Sequence, residues 1–386
     1  MLRSRPVAAV CLVALFLIAG TAHAKPVAAP PTIAAFGAGA LKAEWLTGYN
    51  AADGLDTHGV ADLDLMSANG MGLYRARFRQ DRVVVNGVAS EWTQLDNLVR
   101  QSALRGVTLL PVLINMPGEV YTPPTTDAAR REFSDFAAAA AKRYGSAGTF
   151  WSTCSCPARP IRAWEVWNEP NLSTFWPGPN PAQYAQLLTT TRTNLRRTDA
   201  AARIVFGGLA TPPTPTADKL EAASFLRGAI AAAGRNSFDA LSVHSYYGSA
   251  YPAPDWGVEK GLRPVVDELK ADAGIAPGGA PRQQVWVTEF GRFTHPASTP
   301  AQQNTYETAQ AQYYDGFLNT LLGHRADWNL GPILPYAFRD AADPNVTMWG
   351  LRRTNADDTD AGPKLAWDVF TSRSRGAADV PLPVQR

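Results

Sequence analysis

Cysteine is scarce: three residues in 386. Cys11 lies in an apolar N-terminal run, and Cys154 and Cys156 fall together in "TCSC". That excludes a disulfide-built scaffold, and two cysteines make a poor zinc site. The pair reads as a local disulfide or as two free thiols. Net charge is low as well, at +2, and no long basic run occurs. Nothing favours nucleic acid or an anionic membrane as a partner. Beyond the N-terminus no stretch is apolar for long enough to span a bilayer. Repeats and low-complexity linkers are missing from residues 33–375. No glycine-rich phosphate loop follows any candidate strand, which argues against an open dinucleotide-binding sheet.

What is present is a globular composition. Hydrophobic residues make up 46% and charged ones 18%, enough to bury a large core. At the N-terminus Arg3 and Arg5 precede an apolar run, Val7 to Ala19, and then Ala22-His23-Ala24. This is the pattern of a secretory signal peptide over residues 1–24, expected to be cut after Ala24. The alternative is a membrane anchor, for which the apolar run is short. Cleavage would remove Arg3 and Arg5 and bring the formal charge from +2 to 0, leaving no membrane segment. Residues 25–32, "KPVAAPPT", read as a flexible lead-in, residues 33–375 as one folded domain, and residues 376–386 as a tail.

From Asp62 onward, runs with helical spacing alternate with short apolar runs. Helices are expected at 62–70, 91–106, 126–145, 181–202, 218–234, 262–274, 304–324 and 363–373. Between them lie "LYRARF", "VTLLPVLIN", "IRAWEVWNE", "RIVFGGLA", "DALSVHSYY", "QQVWVTEFG" and "ILPYAF", which read as strands. A first strand must precede these, within Ile33 to Tyr49. Eight strands alternating with eight helices imply a parallel sheet. Without a phosphate loop, the closed (β/α)8 barrel is the expected form.

Reactive groups in such barrels sit at the C-terminal ends of the strands. The second strand carries Arg75 and Arg77, the third ends at Asn115, and the fourth ends in Asn168-Glu169. The sixth carries His244 and Tyr246, and the seventh ends in Glu289. The eighth carries Tyr336 and Phe338, with Asp340 beyond. Glu169 and Glu289 therefore face one another across the barrel mouth. Paired carboxyls of this kind suit glycosidic bond cleavage, one as a proton donor and one as an ionised nucleophile. An arginine keeps a nearby carboxylate ionised, and a tyrosine or asparagine can hydrogen-bond a carboxylate or a sugar hydroxyl. Adjacent strand residues point to opposite faces. Asn168 and Glu169 can both reach the site only if the strand becomes irregular there, which Pro170 permits.

"WEVWNEPN" and "VWVTEFG" resemble the fourth- and seventh-strand motifs of glycoside hydrolase clan A, the retaining (β/α)8 enzymes. "NGMGLYRARF", "RIVFGGLA", "SVHSYY" and "GPKLAWDVF" are similar to segments of family 39 and related family 5 members, over roughly Asp62 to Phe370. The resemblance implies Glu169 as acid/base and Glu289 as nucleophile. It puts Asn168 on the sugar 2-hydroxyl, Tyr246 against the nucleophile, and Arg75 at the second-strand arginine. It also implies a poly- or oligosaccharide substrate with no cofactor and no metal. One departure concerns the eighth strand, where such enzymes usually carry a tryptophan and this chain has Tyr336 and Phe338.

Plainer readings stand beside these. One strand-end glutamate alone would read as an ion-pair partner; two in these contexts point to catalysis. Of Arg75 and Arg77, one is expected in a salt bridge inside the barrel. His244 divides evenly between core and site. Trp176, in "LSTFWPGPNP", is expected to stack on a sugar, with Trp349 a weaker candidate. At least one of Tyr247, Tyr251 and Trp256 is expected to line the cleft. Asn171-Leu172-Ser173 matches a glycosylation sequon but overlaps the site motif and is discounted. The expected protein is a secreted retaining glycoside hydrolase. A transglycosylase and a non-catalytic carbohydrate-binding barrel are its rivals.

Overall fold

The computed structural model describes residues 36–39, 57–247, 257–276, 278–341, 348–357 and 359–374. They belong to one compact unit, Pro31–Arg386. The expected signal segment, lead-in and tail lie outside the described residues, as do Tyr251, Trp256 and the side chain of Tyr247.

Eight parallel strands form the centre. They are β1 (Phe36–Gly39), β2 (Met71–Arg79), β3 (Thr108–Ile114) and β4 (Ala163–Asn168), then β5 (Arg203–Ala210), β6 (Ala240–Tyr247), β7 (Gln284–Arg292) and β8 (Leu330–Ile333). They close into a barrel in the order β1-β8-β7-β6-β5-β4-β3-β2. The first strand falls inside the expected window and closes the ring by pairing with both β8 and β2. The helices are α1 (Thr57–Ala68), α2 (Thr93–Leu104), α3 (Asp127–Tyr144) and α4 (Pro181–Thr198), followed by α5 (Ala222–Ala233), α6 (Arg263–Asp272), α7 (Pro300–Gly323) and α8 (Leu365–Ser374). Among the described residues no helix is long and apolar enough to cross a membrane.

Local chemistry starts and stops these elements. Thr126, Asn180 and Thr299 cap α3, α4 and α7, each accepting a hydrogen bond from a first-turn N–H. Pro181 and Pro300 sit at the first helical positions, where a missing N–H costs nothing. The outward residues of β2 to β8 join the main core beneath the helices. Inside the ring Leu73, Leu110, Ala163, Val205, Ala240, Trp286 and Leu334 form a separate apolar plug. It lies one pleat below Arg75 and Glu165, so polar groups above it rest on a dry floor.

Two details depart from the sequence reading. The last strand ends at Ile333 and does not run on to Phe338. Pro332 and Pro335 supply no N–H to the ladder, although Leu334 and Tyr336 still donate to the Val287 and Phe290 carbonyls. Two short hairpins, Val84–Val85 with Val88–Ala89 and Arg352–Thr354 with Asp360–Pro363, were not foreseen. Cys154 and Cys156 are joined by a disulfide in the α3–β4 connection, which resolves the earlier alternative.

Tyr184 of α4 ties two strands together. Its hydroxyl donates to the Val166 carbonyl at 3.0 Å and accepts from the Gly207 N–H at 2.7 Å, fully buried. Tyr184→Phe would orphan both backbone groups. We expect a loss of about 1–3 kcal/mol in urea-unfolding free energy. An unchanged midpoint would show that the two strands do not need the bridge.

Candidate active site

Both candidate carboxylates reach the barrel mouth through breaks in their strands. In β4 the backbone turns left-handed at Trp167 (φ 72°) and again at Glu169 (φ 43°). Such values cost roughly 1–3 kcal/mol each in a non-glycine residue. The turn swings the Trp167 ring outward, where it is fully buried edge-on to Tyr121 and Trp176. It thereby frees Asn168 and Glu169 to serve one site. Glu169 N–H is held by the Gly208 carbonyl at 2.9 Å. Asn171 then locks the loop to β5, its side chain donating to the Ala210 and Leu220 carbonyls and accepting from Ala210 N–H. A fully buried amide in three bonds is not a glycan acceptor, in keeping with discounting the sequon.

In β7 the device is a bulge. Val243 pairs with Val287, but the next residue, His244, pairs with Glu289. One extra residue therefore faces β6, and two successive side chains, Thr288 and Glu289, turn to polar partners on the barrel's inner side. The irregular stretch expected for β4 alone thus occurs in both strands.

Arg75 connects these pieces. Its Nε and Nη2 grip Glu165 at 2.7 and 2.9 Å. Nη1 donates to Glu289 Oε1 at 2.5 Å, and Nη2 also donates to Asn168 Oδ1 at 2.8 Å. Burial works against the guanidinium charge, but Glu165 and Glu289 outweigh it, so its pKa rises. Glu165 has no solvent exposure and additionally accepts from Gly208 N–H at 2.9 Å.

The two mouth glutamates differ in their surroundings. Glu289 accepts from Arg75 on one oxygen and from the Tyr246 hydroxyl on the other. Glu169 has His244, with Nδ1 2.8 Å from Oε1. The imidazole is fully buried, and that burial holds its pKa below the usual histidine value, so it pairs as a neutral ring. Its Nε2 meets Thr288 Oγ1 at 3.1 Å, and Thr288 bonds in turn to Ser242. Burial pushes both carboxyls upward. Arg75 and Tyr246 bond Glu289 directly and oppose that push, whereas Glu169 bonds the neutral His244 and feels Arg75 only at longer range. Of the two, Glu169 is therefore the less compensated. Gly208 makes this packing possible: a Cβ there would sit 2.1 Å from His244 Nε2.

Glu169, His244 and Glu289 each present one ligand-type atom, all within 4.8 Å of one another. The set does not suit a divalent ion, because Glu289 is already charge-paired with Arg75 and a second cation would be repelled.

The remaining candidates divide. Tyr246 lies at the site, edge-on to Tyr336 at 5.7 Å and to Trp349 at 5.0 Å. Tyr336 and Trp349 also touch, so a three-ring wall stands beside Glu289. Phe338 turns away, buried against Trp367 of α8. Trp176 is a correction: it is fully buried and packs on Trp167 and Tyr184, so it offers no face to a sugar. The Pro-rich loop that carries it folds the indole under, filling the space behind the outward Trp167. Asn115 is half-buried at the end of β3, its carbonyl accepting from Thr122 N–H. Arg77, one pleat above Arg75, lies 5.6 Å from the Tyr121 ring centre and within reach of the charge on Glu289. Asp340 is buried with Lys364 at 2.8 Å and accepts from Gly350 N–H, so it anchors the segment bearing Trp349.

Glu165 escaped the sequence reading because it lies inside the apolar run "AWEVWN". One signal was available: it is the only charged residue of that strand, and Arg75 needed a buried counter-charge. Tyr121 gave no signal, since it comes from an irregular loop.

No protein-family model matches the chain, and no curated protein matches it by sequence. Solved structures do. A family 39 glycoside hydrolase from Bacteroides cellulosilyticus WH2 superposes with a TM-score of 0.58 at 20% identity, over 82% of this chain and 60% of that one. The fold is one that glycosidases use. A monomeric β-xylosidase from Caulobacter crescentus CB15 gives 0.54 at 17%, over 82% and 64%. A family 51 α-L-arabinofuranosidase from Bifidobacterium longum gives 0.59 at 15%, over 89% and 73%. The chain thus spans about three-fifths of the length of the first of these enzymes.

The Arg75 network makes a direct stability test. Arg75→Met strands Glu165 and Glu289 without a buried cation. We expect a loss of about 3–5 kcal/mol in denaturant unfolding, with part of it recovered in Arg75→Met/Glu165→Met. If the double variant is less stable than the single one, Glu165 has a stabilising role independent of Arg75.

Proposed function

We propose that this protein is a retaining glycoside hydrolase acting on a poly- or oligosaccharide. One observation carries the reading. Two carboxyls share a barrel mouth with an oxygen of each within 4.8 Å of the other, one paired with Arg75 and a tyrosine, the other with a neutral histidine; so close a pair suits the retaining rather than the inverting arrangement. Likeness to solved glycosidases supports it.

The step follows from the pairing. Glu289, ionised, attacks the anomeric carbon while Glu169 passes its proton to the glycosidic oxygen. The carbon–oxygen bond breaks, the alcohol leaves, and an ester joins the sugar to Glu289. Glu169, now a carboxylate, takes a proton from water as that water attacks the same carbon. The ester breaks, the sugar leaves with its configuration retained, and both groups regain their starting states. Arg75 and Tyr246 steady the carboxylate that forms and leaves. Asn168, beside Arg75, is in position to bond the 2-hydroxyl, and the wall of Tyr246, Tyr336 and Trp349 offers the apolar side of the pocket. In this reading Trp349, delivered from a loop, does the work that clan A enzymes give to a strand-eight tryptophan. The N-terminal pattern adds export across a membrane to the proposal.

Activity on 4-nitrophenyl glycosides tests the roles. Glu289→Ala should abolish turnover, and azide should restore it as a glycosyl azide of inverted configuration. Glu169→Ala should keep the first step for good leaving groups and give azide product of retained configuration. Proton NMR of the products decides; swapped outcomes would reverse the assignment, and full activity in both variants would place the chemistry elsewhere.

The pH profile provides a second test. The acid must be protonated, and burial raises the pKa of Glu169 above the ordinary glutamate value. The rate should therefore fall as pH rises through that elevated value, and Glu169→Gln should erase this alkaline limb. A limb that persists in Glu169→Gln belongs to another group.

A further inference from the structure

Tyr121 comes from the loop after β3, and its ring is fixed from three sides. Phe175 meets it edge-on at 4.6 Å and Trp167 at 6.3 Å, while the Arg77 guanidinium lies 5.6 Å from its centre. The phenol is close enough to Glu169, Glu289 and Arg75 for their charges to act on it. Its hydroxyl oxygen is buried and has no hydrogen-bond partner. Leaving such a donor unpaired is a standing cost to the fold. Replacing the tyrosine by phenylalanine would keep every ring contact and remove that cost. Packing therefore explains the ring and leaves the hydroxyl unexplained.

We propose that Tyr121 is a substrate-binding and specificity-determining residue, whose hydroxyl donates to an oxygen of the sugar unit at the cleavage point. The inference rests on the glycosidase reading for the identity of the ligand. A sugar entering between Glu169 and Glu289 would bring hydroxyl oxygens into the region the phenol borders. Burial lifts the Tyr121 pKa to about 12, so the group stays a donor across any working pH. A rigid ring holding an unpaired donor is preorganised: the bond forms without ordering a side chain. A site built this way discriminates strongly against an analogue that lacks the matching oxygen.

The test pairs activity with stability. Wild type and Tyr121→Phe are assayed on 4-nitrophenyl β-xyloside, β-glucoside and α-L-arabinofuranoside, and on monodeoxy forms of whichever is cleaved fastest. We expect kcat/KM to fall about 10–100-fold in Tyr121→Phe, the scale of one lost hydrogen bond in a dry site. The melting temperature should stay level or rise. Against one monodeoxy substrate the wild type should discriminate and Tyr121→Phe should not. Wild-type kcat/KM in the variant, or a loss matched by lower stability and equal for every deoxy substrate, would overturn the proposal. Binding of xylo- and cello-oligosaccharides to Glu289→Ala, with and without Tyr121→Phe, gives a readout free of turnover. No turnover of any of these glycosides by the wild type, with oligosaccharide binding intact, sinks the glycosidase reading alone. Equal affinity in the two backgrounds sinks the role of Tyr121 alone.

Discussion

The grip of Arg75 on Glu165 and Glu289 is the interaction on which the site depends. One guanidinium spends its donors on two carboxylates and an amide, all shut away from water. Burying that many charges is costly, and an apolar core of the same volume would serve stability as well or better. The network is better understood as a fixture. It spans from β2 to β4 and β7, which are not neighbours in the sheet, and so sets the positions of Asn168 and Glu289 relative to each other. The apolar plug beneath keeps water from competing with it.

From this fixture the two glutamates acquire unlike characters without unlike chemistry. Glu289 is tied to a permanent cation. Glu169, one side chain beyond Asn168, lies against a ring that burial keeps neutral. The difference originates in a small space. His244 can lie where it does because Gly208 has no side chain, and its far nitrogen is occupied by Thr288, which the β7 bulge turns inward. A glycine, a bulge and a buried imidazole therefore shape the acidity of a carboxyl they do not belong to.

Much of this was legible in the sequence, for identifiable reasons. Parallel strands buried on both faces read as apolar runs, so seven barrel strands and their helices could be located from "LYRARF" onward. The glutamates stood out because each ended such a run. Glu165 did not, because a charge within an apolar strand looks like noise until its partner is known. Trp176 misled because aromatic loops near a site supply both platforms and packing, and only the left-handed turn at Trp167 shows which is needed. The place of Trp349 beside Tyr246 could not be read because it depends on Asp340 and Lys364, whose pairing no local pattern reveals. Tyr121 could not be read at all: a lone tyrosine in an irregular loop has no periodicity to place it.

The bulge in β7 gives part of the site a dependence on counting as well as on identity. Strand β6 and the N-terminal half of β7 are in step, and the extra residue shifts the pairing at His244. Deleting Thr288, the one extra residue, would restore a regular ladder with Glu289 still opposite His244. Glu289 would then follow the outward Val287 directly and take the inward place of Thr288, so His244 and Ser242 would lose the hydroxyl that both now bond. Such a chain would keep its barrel and its mouth carboxyl while losing the group that occupies the far nitrogen of the buried imidazole.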